Sequence, residues 1–71
     1  MIYSIEGKRI KVVLAKSLTM GDNNYYAGIF TENLVPINKT FRAFSTREDA
    51  EKWLKESFEQ LFPKYKHIYR G

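Results

Sequence analysis

The fold is decided by the stretch STREDAEKWLKESFEQLF, which occupies residues 45–62. Small and apolar side chains recur in it at intervals of three and four, which places them in one stripe along a helix of about four to five turns. The stripe comprises Ala50, Trp53, Leu54, Ser57, Phe58, Leu61 and Phe62. A helix with one apolar stripe needs a partner surface, and the residues before it should supply a sheet.

The ends of this helix are marked by a choice of caps and by a proline. Ser45 with Glu48 fits a capping box, and Thr46 with Asp49 fits the same pattern one residue later. Pro63 lacks a backbone N–H and ends the helix. The sequence therefore fixes the start of the helix to within one residue.

The N-terminal third of the chain predicts a hairpin. Residues 3–5 and 9–15 are two runs rich in β-branched side chains, joined by a tight turn that contains Gly7. In the second run Ile10, Val12 and Leu14 share one face of the strand, because side chains alternate along a strand. That face is the predicted core face.

Two further strands precede the helix. The turn-forming residues 21–24 lead into an aromatic and branched run at 25–31, in which Gly28 indicates a bulge. A loop interrupted by Pro36 follows, and residues 40–44 then give a short fourth strand. The strand runs directly into the helix.

The predicted fold class is α+β, a small antiparallel sheet of four or five strands with one C-terminal amphipathic helix packed on one face. Residues 1–62 form a single ββββα domain, since a chain of 71 residues has no room for two cores. Residues 63–71 are a basic, tyrosine-containing tail or a late fifth strand.

The usual catalytic and metal-binding groupings do not occur in the sequence. There is no cysteine, and His67 is the one histidine, so no nucleophile and base pair or ordinary transition-metal site can form. We therefore expect no enzymatic activity, no metal, no cofactor and no small-molecule substrate.

The charge is moderately basic and unevenly distributed. Twelve basic and eight acidic side chains give +4. Residues 46–62 carry three basic and five acidic groups, whereas residues 63–71 carry three basic and no acidic group. An acidic helix between basic flanks suits an anionic partner.

Burying the helix stripe leaves the other sheet face open, and the sequence predicts that this face is basic. Cations there would neutralise phosphates, and exposed tyrosines would stack on unpaired bases, so nucleic acid is the first expected partner. The predicted face carries Arg9, Lys11 and Arg42, with Lys8, Lys39 and Tyr25 or Tyr26 nearby. The tail adds Lys64, Tyr65, Lys66, Tyr69 and Arg70.

Other interpretations of these residues stay open. The cations equally suit a solvated sheet face with protected edges, and the tail tyrosines equally suit packing on the helix end. Ten Tyr and Phe side chains in so short a chain also suit a module that binds a larger protein, such as an inhibitor or accessory factor of phage or mobile-element type. The chain would act as a monomer or a homodimer.

The segment at residues 40–54, TFRAFSTREDAEKWL, resembles the last strand and helix of arm-type DNA-binding domains in phage integrases. In that family the sheet enters the major groove of DNA, and the resemblance implies direct roles for Arg9, Lys11, Tyr25 and Arg42. The same segment, with Gly28, Ile29 and Phe30, resembles the hybrid-binding domain attached to some ribonucleases H.

The expected location is the cytoplasm. A cysteine-free domain of this size suits a reducing compartment, and no run approaches the roughly 18 apolar residues of a membrane helix. We therefore expect no membrane association.

Overall fold

The computed structural model describes residues 1–69 and has the predicted α+β architecture. Four antiparallel strands form one sheet in the order β1-β2-β3-β4, and the helix packs on one face. The elements are β1 (Ile2–Ile5), β2 (Lys8–Lys16), β3 (Tyr25–Phe30), β4 (Pro36–Phe44), α1 (Arg47–Leu61) and a 3₁₀ helix (Pro63–Ile68).

The predicted N-terminal hairpin is confirmed. Ile5 pairs with Lys8, and the two residues between them, Glu6 and Gly7, have φ angles of 52° and 77°. Two successive left-handed residues are the signature of a type I′ turn, whose twist matches that of the flanking strands. Gly7 adopts this conformation without a Cβ penalty.

The core lies between α1 and one face of the sheet, as the stripe predicts. Val12 pairs with Ile29 and both are buried, so they project from the same face. Phe58 is fully buried at the centre of this layer. The core comprises Ile5, Ile10, Val12, Ala27, Ile29, Ala50, Leu54 and Phe58.

The helix begins at the later of the two predicted caps. Thr46 has extended backbone angles, and its Oγ1 accepts a hydrogen bond of 3.2 Å from the Asp49 N–H. The hydroxyl satisfies one of the backbone donors that the first turn of a helix leaves without a partner. Ser45 therefore precedes the cap.

The C-terminal residues form a 3₁₀ helix instead of the alternative fifth strand. Pro63 is at its start, and the Tyr65 N–H donates to the Phe62 carbonyl at 2.9 Å. Tyr65, Ile68 and Tyr69 are spaced by three and one, so a helical turn brings them together on the core. Arg70 lies outside the described residues.

An aromatic cluster joins the first strand to this tail. The Phe58 ring centroid lies 5.2 Å from that of Tyr3, 5.2 Å from that of Phe62 and 5.0 Å from that of Tyr69. Burial, with smaller contributions from Tyr3 and Glu51, raises the pKa of Tyr69. The tail is thus packed against the domain up to residue 69.

The pairing of β3 with β4 is irregular next to Gly28, but the extra residues lie on β4 and not on β3, where Gly28 indicated a bulge. Gly28 pairs with Phe41 while Phe30 pairs with Pro36, so the extra residues lie on β4. Asn38 and Lys39 have φ angles of 49° and 58°. Because this insertion lengthens the strand, β4 begins at Pro36, earlier than the predicted start at residue 40.

Within residues 1–69, no helix is both long enough and apolar enough to cross a membrane.

Candidate functional site

The candidate site is the sheet face opposite α1, which we call the open face. Cross-strand partners share a face, so the register assigns its members. Lys11 pairs with Phe30, and both Val13 and Phe41 pair with Gly28. The open face comprises Ile2, Ser4, Arg9, Lys11, Val13, Ala15, Tyr26, Gly28, Phe30, Phe41 and Ala43.

Three aromatic rings occupy the middle of the open face, and we call them the aromatic trio. The Phe41 centroid lies 6.0 Å from that of Tyr26, with the ring planes 13° apart. It lies 5.9 Å from that of Phe30, with the planes 56° apart. Phe41 is 52% exposed although it contacts both neighbours. The trio therefore presents aromatic surface to solvent.

Gly28 provides the space that the trio needs. A Cβ atom at this position would lie 2.7 Å from Phe30 Cε2 and 3.0 Å from Phe41 Cδ1. The first distance is shorter than real Cβ contacts, and the second is tighter than most of them. The two rings thus lie over the bare backbone of β3, with their planes 56° apart.

Tyr26 is held in place by the β2–β3 loop. Its hydroxyl donates to Asp22 Oδ2 at 2.8 Å, and the Asn24 N–H donates to Asp22 Oδ1 at 2.9 Å. These two hydrogen bonds, that from Asn24 first, lower the pKa of Asp22, and the bond to Asp22 raises the pKa of Tyr26. The small residues Ala15 and Ala43 pair with Tyr26, whose ring is partly exposed.

The cations of the open face lie on β2, beside the trio. Lys11 is opposite Phe30, and Arg9 is opposite Ser4. Arg9 is exposed and Lys11 is partly buried. Ile2 and Val13, which are 62% and 39% exposed, complete an otherwise apolar surface. Such a surface can stack planar rings on its centre and neutralise an anion at one side.

Two residues predicted for the basic face lie on the helix side instead. Arg42 pairs with Ala27, a core residue, and its guanidinium carbon lies 5.3 Å from the Phe44 ring centroid. Tyr25 pairs with Phe44 and packs against the core. The reason is the alternation of β4, which places Phe44 towards the helix and therefore Arg42 as well. The assignment of Arg42 to the open face was wrong.

The remaining predicted residues are dispersed. Lys8 pairs with the buried Ile5 and so lies on the helix side of the hairpin end. Lys39 is in the β4 insertion, and Lys64 and Lys66 are exposed on the 3₁₀ helix. The predicted tail tyrosines, Tyr65 and Tyr69, contact the core, and Arg70 is outside the described part of the chain.

Of the residues predicted for the site, three lie on the open face, namely Arg9, Lys11 and Tyr26. Sequence reasoning missed Phe30 and Phe41. A signal for Phe41 was present, because Phe41 and Phe44 are three residues apart and a strand must place them on opposite faces. No group of metal-ligating side chains occurs among residues 1–69.

Comparison with known proteins gave no match, since no family model fits the sequence and no curated protein or solved structure is significantly similar to it.

Proposed function

We propose that this chain is a non-enzymatic binding module that holds a single-stranded nucleic acid on its open face. The observation that carries the proposal is Phe41, which is 52% exposed at the centre of the trio. A base stacked on an exposed aromatic ring contributes about 1–3 kcal/mol and does so with little sequence preference. Arg9 and Lys11 would neutralise phosphates beside the stacked bases.

The arrangement favours a single strand over a duplex. In a duplex the faces of the bases are stacked on one another and cannot reach a flat aromatic surface. Duplex binding instead depends on many phosphate contacts. With Arg42 on the helix side, the open face offers two cations, Arg9 and Lys11. The cysteine-free sequence supports a cytoplasmic location for this activity.

The proposal is tested by fluorescence polarisation with labelled single-stranded DNA, single-stranded RNA and duplex DNA at several salt concentrations. Phe41→Ala should weaken single-strand binding about tenfold, since tenfold corresponds to 1.4 kcal/mol and stacking contributes about that much. Arg9→Gln should reduce the slope of log affinity against log salt by about 0.7, the value for one phosphate contact on a single strand.

Arg42→Gln is the matched control. It removes the same charge from an exposed position on the other side of the sheet and should leave both affinity and salt slope unchanged. Tighter binding to duplex than to single strands, or equal loss from Arg9→Gln and Arg42→Gln, would contradict the proposal.

A second candidate, a module that binds a larger protein, is favoured by the β2–β3 loop. Leu18 and Met20 are 102% and 99% exposed there, and Asp22 ties the same loop to Tyr26 on the open face. Exposed apolar side chains next to an aromatic surface are typical of protein interfaces. Binding of this kind should depend strongly on Leu18 and Met20 and weakly on salt.

A further inference from the structure

A groove lies at the other side of the sheet, between the β1–β2 hairpin and the end of α1. Its volume is about 370 Å³, within the range of about 300–1,000 Å³ typical of sites for small organic ligands. The apolar part of its lining is formed by Ile5, Ile10, Leu61 and Phe62. The groove therefore has the size and the lining to receive a planar ring.

The charged lining of the groove is positive on balance. Lys8 enters from the hairpin and Lys64 from the 3₁₀ helix, while Glu6 contributes one negative charge. Two cations and one carboxylate leave a formal charge of +1. Tyr65 also lines the groove and adds an aromatic wall. A ligand with one planar ring and one anionic group suits this lining, because the ring can contact the apolar side chains and the anion can contact the lysines.

Two adjacent residues at the hairpin end contribute one cation to the groove and one to the open face. Lys8 and Arg9 follow one another at the start of β2, so their side chains point to opposite faces of the sheet. Arg9 belongs to the open face, and Lys8 lines the groove. A polyanion that leaves the open face at Arg9 thus meets the next cation at Lys8, around the end of the hairpin.

We propose that the groove holds one nucleotide of the strand that is bound on the open face. The base lies against the apolar lining, and the phosphate lies between Lys8 and Lys64. This inference rests on the proposed function, and it extends the binding path from one face of the sheet to both. The hairpin end then acts as the point around which the strand turns.

The test compares two single-stranded oligonucleotides, of about four and about ten nucleotides, lengths within the range covered by small single-strand-binding domains. Salt slopes are measured for the wild type, Lys8→Gln, Lys64→Gln and Lys55→Gln. Lys55 is an exposed cation on α1 that does not line the groove, so it controls for the loss of charge. Melting temperatures confirm that each variant is folded.

The expected result is specific to length. With the long oligonucleotide, Lys8→Gln and Lys64→Gln should each lower the salt slope by about 0.7, whereas Lys55→Gln should not. The short oligonucleotide occupies only the open face, so none of the three substitutions should change its salt slope. If the three variants behave alike on the long oligonucleotide, the groove is excluded while binding to the open face stands.

Two further outcomes are distinguishable. If neither oligonucleotide binds the wild type, the proposed function itself fails and the groove has no strand to hold. If free adenosine monophosphate perturbs the NMR signals of the groove residues while Lys8→Gln leaves strand binding unchanged, the groove is a separate nucleotide site. That result would overturn the continuous path.

Discussion

Replacing Gly28 by alanine places a methyl group beneath the aromatic trio. The new Cβ would lie 2.7 Å from Phe30 Cε2 and 3.0 Å from Phe41 Cδ1, against 3.4–4 Å for ordinary contact. To restore ordinary contact, the Phe30 ring must therefore retreat by about 0.7 Å. Its contacting atoms are at the far end of a partly exposed side chain, so the ring can move without displacing the backbone.

The expected effect on stability is small because two terms oppose each other. Displacing an aromatic ring from its preferred rotamer costs about 0.5–1.5 kcal/mol. Gly28 does not have a positive φ angle, so alanine fits the backbone and gains about 0.4–1 kcal/mol by restricting the unfolded chain. The free energy of unfolding should thus change by less than about 1 kcal/mol, which corresponds to a melting shift below about 4–8 °C.

The expected effect on binding is larger. Moving Phe30 away from Phe41 disrupts the aromatic trio and should remove about one stacked base, a loss of about 1–3 kcal/mol. Fluorescence polarisation with a labelled single strand measures this loss, and circular dichroism melting measures stability on the same sample. Gly28→Ala should therefore separate binding from folding.

Gly7→Ala is the matched control, because it should show the opposite pattern. No atom lies within 4 Å of a Cβ at Gly7, but its φ of 77° is a left-handed conformation that costs alanine about 1–2 kcal/mol. We expect lower stability and unchanged affinity for the short oligonucleotide, which the open face alone holds. Full strand affinity in Gly28→Ala, with the Phe30 ring shown by NMR to have moved, would refute the role of the trio.

Three further changes test the fold and the loop. Phe58→Ala should cost about 3–5 kcal/mol, because the ring is fully buried among three others, and chemical denaturation should show most of the stability of so small a domain lost. Thr46→Ala should cost about 0.5–2 kcal/mol by the same assay, whereas Ser45→Ala should cost almost nothing because Ser45 is not the cap. Asp22→Asn should lower the pKa of Tyr26 towards its ordinary value of about 10, seen in a spectroscopic titration; since that pKa is raised in the folded protein, the bond's contribution to stability is present below pH about 10 and is lost above it. An unchanged Tyr26 titration would show that the Asp22 hydrogen bond does not hold the ring.

The helix and its partner strands could be predicted because several independent signals coincide there. The stripe through Ala50, Leu54 and Phe58 is helical in period, and all three residues are buried. The alternation of Ile10 and Val12 gave the core face of β2 for the same reason. Local propensity and burial pattern indicate the same structure at these positions, and the prediction was therefore confirmed.

The faces of β4 could not be predicted, because its side chains give conflicting signals. Charge favours an outward Arg42 and size favours an inward Phe41, but the same alternation would then place the aromatic Phe44 outward. The structure resolves the conflict by leaving Phe41 half exposed and placing Arg42 at the border of the helix side, over Phe44. This outcome depends on pairing with β3, which one strand alone does not encode.

The tail shows a second limit. Tyr65, His67 and Tyr69 occupy every second position, which is a strand pattern. Tyr65, Ile68 and Tyr69, in contrast, have a helical spacing. So short a segment fits both the strand period and the helical period, and the surface against which it packs decides between them. The Phe58 ring and the end of α1 pack against the tail in its helical arrangement, and the alternation is incidental.

The irregularity of β4 also determines how this sheet meets other chains. An edge strand with a regular row of free N–H and C=O groups invites another strand to pair with it, which leads to aggregation. Here one edge is β1, only four residues long, and the other begins with Pro36 and is broken by left-handed residues at Asn38 and Lys39. Both edges are thus poor templates for strand addition. Because the domain exposes aromatic surface, pairing through its sheet edges would add a second route to aggregation, and the two poor edges suppress it. Partners are then selected by the side chains of the open face.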